Sequence, residues 1–218
     1  MRFKGKVCET RFCVPLRPAY YRTGDSVQWV LKGLVRPLWF RYHCRVPALR
    51  TLISAEQIGE RVREMGEQID ADYPEGPVYL ISILKGSFVF LADLIRTLKR
   101  HTVRVEFMGI SSYGSAKTSS GQVKVTRDLD LSIEGQHVLI VEDIVDSGVT
   151  LSYLTRVLAQ RRPRSLEIAT LLDKPERRIQ PVDVKYVGFE IPDEFVVGYG
   201  LDYAEDYRNL GGVYVLEE

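Results

Sequence analysis

Residues Val78–Leu84 read VYLISIL and residues Val138–Val141 read VLIV, two stretches with almost no polar position. A strand with one wet face alternates apolar and polar residues, whereas a continuous apolar run of strand length fits a strand covered on both faces, as in parallel sheets. Each run is followed by a helical period: Phe88, Leu91, Ile95 and Leu98 after the first, and Leu151, Leu154 and Leu158 after the second. Ahead of both, the segment LISAEQIGERVREMGEQIDADY places Ser54 three residues before Gln57, a capping box, with Ile58, Val62, Met65 and Ile69 at helical spacing, predicting a helix over 54–72. Further strands are expected at 102–109, at LEIATLL and at VKYVGF. Strands alternating with helices imply right-handed crossovers and an α/β fold, a parallel sheet flanked by helices. The polar, Ser- and Gly-rich stretch SSYGSAKTSSGQ is expected to form a mobile loop.

At 218 residues the chain has room for one ordinary domain with a real core. Its formal net charge of +1 hides an asymmetry: residues 1–50 carry eleven Lys/Arg against two acids, leaving nineteen against twenty-seven in residues 51–218. All three cysteines (Cys8, Cys13, Cys44) and both tryptophans lie in the first fifty residues, which show no sustained period. The cysteines lack C-x-x-C spacing and His43 has no partner cluster, so neither a zinc site nor a disulfide framework follows. The segment is arginine-rich like a transit peptide but lacks serine enrichment and an apolar secretory core. It is read as a basic extension, poorly ordered or non-native upstream sequence, with the domain over 51–218. No run of eighteen apolar residues occurs, so no membrane-spanning helix is expected. The cysteine-free remainder suits a cytoplasmic location.

Ligands of open α/β sheets bind at the carboxyl ends of the strands. Three unusual stretches fall there: Lys85-Gly86, Glu142 to Thr150, and Asp173-Lys174. Asp146, Ser147, Gly148, Val149 and Thr150 form a small-residue turn leading into a helix, where backbone N–H groups, two hydroxyls and the helix dipole suit a phosphate monoester. It is not a Walker A loop. An anion cradle beside Glu142 and Asp143 is self-defeating unless a divalent cation or a polyhydroxyl group lies between, so the pattern asks for a sugar phosphate with Mg²⁺. Two adjacent carboxylates match two vicinal ribose hydroxyls, directly or through metal-bound water. A solvated acidic turn is the plainer explanation of an isolated Glu-Asp pair, and the phosphate-type turn beside it argues against that.

VLIVEDIVDSGVT resembles the signature of the type I phosphoribosyltransferases. With SILKGSFVFLADLIR, SSYG, LLDKPERR and VGFEIPDEFVVGYGLDYAEDYRNL, residues 51–218 resemble the hypoxanthine (guanine) branch of that family. The resemblance implies the family's parallel sheet with a small C-terminal hood, Mg²⁺ dependence, and 5-phosphoribosyl 1-pyrophosphate and a 6-oxopurine as substrates. It implies that Lys85 and Gly86 hold pyrophosphate, with a non-proline cis peptide at Leu84–Lys85, and that Arg208 reaches the same group. Glu142 and Asp143 would hold the ribose and metal, and 147–150 the 5′-phosphate. Asp146 would serve as the catalytic base at purine N7, and Ser112 and Tyr113 would tip a closing loop. Lys174 would donate to the purine's exocyclic oxygen, Phe195 would stack on the base, Val196 would meet its edge, and Asp202 would lie near the base edge and a second Mg²⁺. A lysine has only donors, so it selects a carbonyl over adenine's amino group. His101 and His137 fall at strand starts and receive no catalytic role.

Two other readings compete with this one. An RNA-binding regulator on the same fold would need a basic face, yet residues 51–218 are net acidic. A xanthine-preferring enzyme would share nearly every motif, because contacts at the purine 2-position are largely backbone. Neither nucleic acid nor membrane is expected as a partner, and relatives of this kind imply a homodimer or homotetramer. A chain beginning at Thr51 is expected to keep both fold and activity.

Overall fold

The computed structural model describes residues 48–99, 102–112 and 123–217. Strand β1 (Ala48–Ile53) leads into helix α1 (Ala55–Asp72), then β2 (Val78–Leu84), α2 (Phe88–Thr97), β3 (Val103–Ser112) and β4 (Val123–Arg127). There follow β5 (His137–Val145), α3 (Val149–Ala159), β6 (Ser165–Asp173), a single 3₁₀ turn at Pro175–Arg177, β7 (Tyr186–Glu190), β8 (Val196–Val197) and β9 (Val213–Glu217).

The six-stranded sheet has the order β4-β3-β2-β5-β6-β7. All its pairings are parallel except β3 with β4, an antiparallel edge that the sequence reading did not foresee. The apolar runs behave as strands buried on two faces. Val78 and Leu80 of β2, with Leu139 and Val141 of β5, join the core beneath α1 and α2. Ile81 and Ile83, with Val138 and Ile140, join a second core beneath α3. A strand's side chains alternate between faces, so one continuous run feeds two cores at once. Each fully buried aliphatic side chain contributes about 1.5–3 kcal/mol.

The capping box forms: Gln57 N–H donates to Ser54 Oγ (3.3 Å) and Ser54 N–H to Gln57 Oε1 (2.9 Å). Helix α1 buries Ile58, Val62, Met65 and Ile69, the spacing the sequence shows. In α2 the buried positions are Phe90, Leu91 and Leu94, whereas Phe88, the first of the periodic apolar positions in the sequence, is 44% exposed. Strand β5 runs through Glu142 and Asp143 to Val145, so the acidic pair lies inside the strand rather than in the turn after it.

A second sheet, of order β1-β9-β8, is antiparallel and forms the hood. It is not built from the C-terminal segment alone. β1 precedes α1 in the chain and pairs with β9 from Ala48↔Glu217 to Ile53↔Val213. The strand therefore crosses the boundary that the sequence places at residue 51. Arg50, assigned to the extension, pairs with Glu194 (2.7 Å) and Glu217 (3.3 Å).

Truncations on either side of β1 test this boundary. A chain beginning at Arg45, where the compact unit of residues 45–218 starts, should match the full chain in urea unfolding. One beginning at Thr51 loses half of β1 and both Arg50 pairs, and should be less stable by on the order of 1–3 kcal/mol. Equal unfolding midpoints for the two truncated chains would show that the first half of β1 contributes nothing.

Candidate active site

The chain passes from β2 outward to β3 on one side, and from β5 outward to β6 and β7 on the other, so the direction of winding reverses between β2 and β5. A crevice opens outside the carboxyl ends of two strands at such a point. Lys85 and Gly86 follow β2, Glu142 and Asp143 lie near the carboxyl end of β5, Asp146–Gly148 follow it, and Lys174 follows β6. The peptide bond Leu84–Lys85 is cis, where the family resemblance places it.

The turn after β2 lies against the Asp143 side chain of β5: a Cβ on Gly86 would lie 1.6 Å from Asp143 Oδ2. A larger residue at position 86 would have to displace that carboxylate. Asp143 Oδ1 accepts from the Ile144 N–H (2.8 Å). Burial nevertheless pushes the Asp143 carboxyl up to about 6, against the opposing effect of that hydrogen bond and of the more distant Arg208 charge. Burial also lifts the Glu142 carboxyl well above the usual carboxylate range, and the neighbouring Asp143 charge adds to it. Glu142 Oε2 is sealed from solvent and accepts from no described residue. A buried oxygen without a donor is costly unless something else meets it, and carboxylate oxygens suit a hard divalent cation such as Mg²⁺. Among the described residues no three His, Cys, Asp or Glu side chains close into a ready-made cage.

The turn after β5 is folded back on the chain that follows β6. Ser147 C=O accepts from the N–H groups of Ile179 (2.9 Å) and Gln180 (3.0 Å). Gly148 caps α3 at φ +77°, a left-handed conformation, with the Gln180 carbonyl 2.4 Å from where a Cβ would be. Both conditions demand glycine. Val149 and Thr150 form the first turn of α3, so the backbone of 147–150 lies at a helix N-terminus.

Charged side chains on the rim fall into two groups. On the β2 side, Glu205 Oε2 meets Lys85 Nζ (3.0 Å) and Arg208 Nη2 (3.5 Å), and Arg208 also pairs with Asp202 (2.7 Å). Arg208 Nη1 donates to the Gly200 carbonyl (2.8 Å), and Asp202 Oδ2 accepts from the Glu205 N–H (2.9 Å). On the β6 side, Lys174 is buried and donates from Nζ to the Glu194 carbonyl (2.7 Å). Asp146 accepts from Arg177 Nε (3.1 Å), and its backbone carbonyl accepts from Arg178 Nη1 (3.1 Å) while Arg178 pairs with Asp173.

Phe195 is 55% exposed at the edge of the hood, where its ring meets Tyr203 edge-on (5.7 Å between centroids), whereas the next residue, Val196, is buried in β8. Ser112 ends β3, and Tyr113 lies outside the described residues, as do residues 1–47 with their cysteines. Sequence reasoning passed over Arg177, Arg178, Asp193 and Glu205. The motif LLDKPERR contains both arginines, yet nothing in their spacing separates a surface arginine from one aimed at the rim.

The family model described as phosphoribosyl transferase domain matches residues 52–204. This chain belongs to the phosphoribosyltransferase family. The phosphoribosyltransferase is 48% identical to the hypoxanthine-guanine phosphoribosyltransferase of Bacillus subtilis over 168 residues, 77% of this chain and 93% of that protein. It is 51% identical to the hypoxanthine phosphoribosyltransferase of Haemophilus influenzae over 172 residues, 77% of this chain and 96% of that one. Among solved structures, the hypoxanthine phosphoribosyltransferase of Trypanosoma cruzi in complex with the product IMP superposes with a TM-score of 0.73 at 47% identity, covering 78% of this phosphoribosyltransferase and 95% of that chain. The α/β architecture is that of the type I phosphoribosyltransferases.

The elevated Asp143 carboxyl sets a pH dependence of stability. A carboxyl whose folded value is raised from 3.8 to about 6 binds its proton more tightly in the folded state. Its contribution to stability is therefore full below pH 3.8 and is lost as pH rises through 6. In Asp143→Asn, which keeps an acceptor for the Ile144 N–H, urea unfolding without metal at pH 7.5 should show a gain on the order of 2–3 kcal/mol over the wild type. The gain should shrink toward pH 4. A variant less stable than the wild type at pH 7.5 would mean that the buried charge is compensated in the fold.

Proposed function

We propose that this phosphoribosyltransferase is a purine salvage enzyme. It transfers the 5-phosphoribosyl group from 5-phosphoribosyl 1-pyrophosphate to N9 of hypoxanthine or guanine, giving IMP or GMP and pyrophosphate. The observation that carries the reading is the buried Lys174, held by the Glu194 carbonyl and placed just past the end of β6, the strand next to the Glu142–Asp143 pair. A donor-only cation fixed at the edge of a ribose-type acidic pair selects a base with a carbonyl. The relatives at about half identity, named for hypoxanthine or hypoxanthine and guanine, support the same substrate class.

In this reading the 147–150 turn binds the 5′-phosphate through backbone N–H groups and the Ser147 and Thr150 hydroxyls. Lys85, the Gly86 backbone and Arg208 receive the pyrophosphate. Both cations now share Glu205, so the donor must compete with that carboxylate. Glu142 and Asp143 would hold one Mg²⁺ together with the ribose, and Asp202 a second; bound there, the metal would supply positive charge toward the leaving pyrophosphate. The transition state resembles an oxocarbenium ion, and the Glu142–Asp143 pair lies where positive charge on the ribose would be favoured. Phe195 stacks on the base and Val196 offers backbone groups to its edge; Ser112 belongs to the last pair of β3 with β4 rather than to a loop tip, so the water-excluding loop begins after it, at Tyr113. Asp146 takes the N7 proton as the bond at N9 forms. The reading includes a cytoplasmic location and a homodimeric or homotetrameric assembly.

Steady-state rates with hypoxanthine, guanine, xanthine and adenine, with and without Mg²⁺, test the reaction itself. Turnover confined to adenine, or none at all, would end the reading. Asp146→Asn keeps the shape but removes the base, and should lower kcat by about 10²–10⁴, equivalent to about 3–5 kcal/mol, with donor binding nearly intact. Damage confined to the KM for the donor would move Asp146 from the base to the ribose. Lys174→Gln can accept as well as donate, so it should narrow the preference for hypoxanthine over adenine, with a loss of about 1.5–3 kcal/mol at the exocyclic oxygen. An unchanged preference would place Lys174 away from that atom.

A further inference from the structure

The side chains assigned to the N7 and O6 positions of the purine are joined by two residues that no substrate role has claimed. Arg177 donates from Nε to Asp146 Oδ1 (3.1 Å) and from Nη1 to Asp193 Oδ2 (3.3 Å). The other oxygen of Asp193 lies 3.8 Å from Lys174 Nζ. The result is a chain of alternating charge, Asp146–Arg177–Asp193–Lys174, whose two ends are the proposed base and the proposed carbonyl reader. The backbones beneath it are tied down independently. The Lys174 N–H donates to the Val145 carbonyl (2.9 Å), and the Arg177 N–H to the Lys174 carbonyl (3.1 Å).

We propose that Arg177 and Asp193 are positioning residues whose bridge sets the separation of Asp146 from Lys174, and so fits that pair to the adjacent N7 and O6 atoms of a 6-oxopurine. The inference rests on the reading that Asp146 and Lys174 face the base. The Asp146, Arg177 and Asp193 side chains are 45%, 51% and 48% exposed, so packing alone does not lock their rotamers. The bridge is what restrains Asp146. N7 and O6 lie on one edge of the purine, and a base and a donor that meet the same edge need a fixed spacing to act together. Ion pairs this exposed contribute little to folding, so the effect of breaking the bridge falls on catalysis rather than on stability.

The test uses the full chain with Mg²⁺, hypoxanthine and the phosphoribosyl donor, comparing wild type with Arg177→Gln, Asp193→Asn, the double variant and Arg177→Lys. Each of the two single variants should lose about fivefold in kcat/KM for hypoxanthine, the scale of an exposed charged pair. The KM for the donor and the melting temperature should stay at wild-type values. Because both residues act through one bridge, the double variant should be no worse than either single variant, and Arg177→Lys should recover part of the loss. Wild-type kcat/KM in both single variants, multiplicative losses in the double, or an equal rise in donor KM would overturn the bridge. If Arg177→Gln fails to fold, Asp193→Asn reads the same bridge from its other end. A wild-type protein that makes no IMP would instead remove the substrate reading, and the inference with it.

Discussion

The carboxylate of Asp143 fills the space that any side chain at residue 86 would need. The turn after β2 and the Asp143 side chain of β5 thus share one space at this rim, and a larger residue at position 86 would displace the carboxylate. The neighbouring geometry depends on that contact. It brings the turn after β2 against β5 at the reversal of winding, where two adjacent carboxyls are buried inside a strand that is apolar on either side of them. The two cores on either face hold β2 and β5 in register, from Val78↔His137 to Ser82↔Val141, and so determine where that rim falls.

Burying the Glu142 and Asp143 carboxyls works against folding. Desolvation raises both, and Glu142 Oε2 meets no donor among the described residues. The cost is one a cation or a set of hydroxyls would relieve, which is the arrangement expected where binding energy is directed at a ligand rather than at the fold. Elsewhere on the rim the charges are already matched. Glu205 sits between Lys85 and Arg208, and Arg177 between Asp146 and Asp193. The unmatched Glu142 Oε2 on β5 and the matched side chains around it divide the site into a part awaiting a metal or sugar and a part that internal ion pairs already order.

Much of the large sheet could be read from periodicity, because a run such as VYLISIL permits few alternatives and the capping box announces α1. The parts not legible share one cause. β1, β8 and β9 are short or partly polar, and each becomes a strand only through pairing with segments distant in the chain, Ala48 with Glu217 and Val196 with Val215. β4 is an edge strand of the same kind, supported by β3 alone. Phe88 satisfies the helical period of α2 yet faces outward, because period alone does not say which of two neighbouring positions meets the core.

The same division runs through the site. Residue order alone placed the acidic pair, the Ser-Gly turn and the Lys-Gly turn after apolar runs, and the topology of parallel sheets then put them at one end of the strands. The chemistry of adjacent carboxylates beside a helix N-terminus is a local property, so it survives in the sequence. Pairings among side chains do not. That Arg177 reaches Asp146 across 31 positions, that Glu205 meets Lys85 across 120, and that Arg50 belongs to the hood through Glu194 across 144 are decided by where the chain returns in space. Charged side chains on turns carry no period, and only the folded backbone selects which of many opposite charges comes within reach.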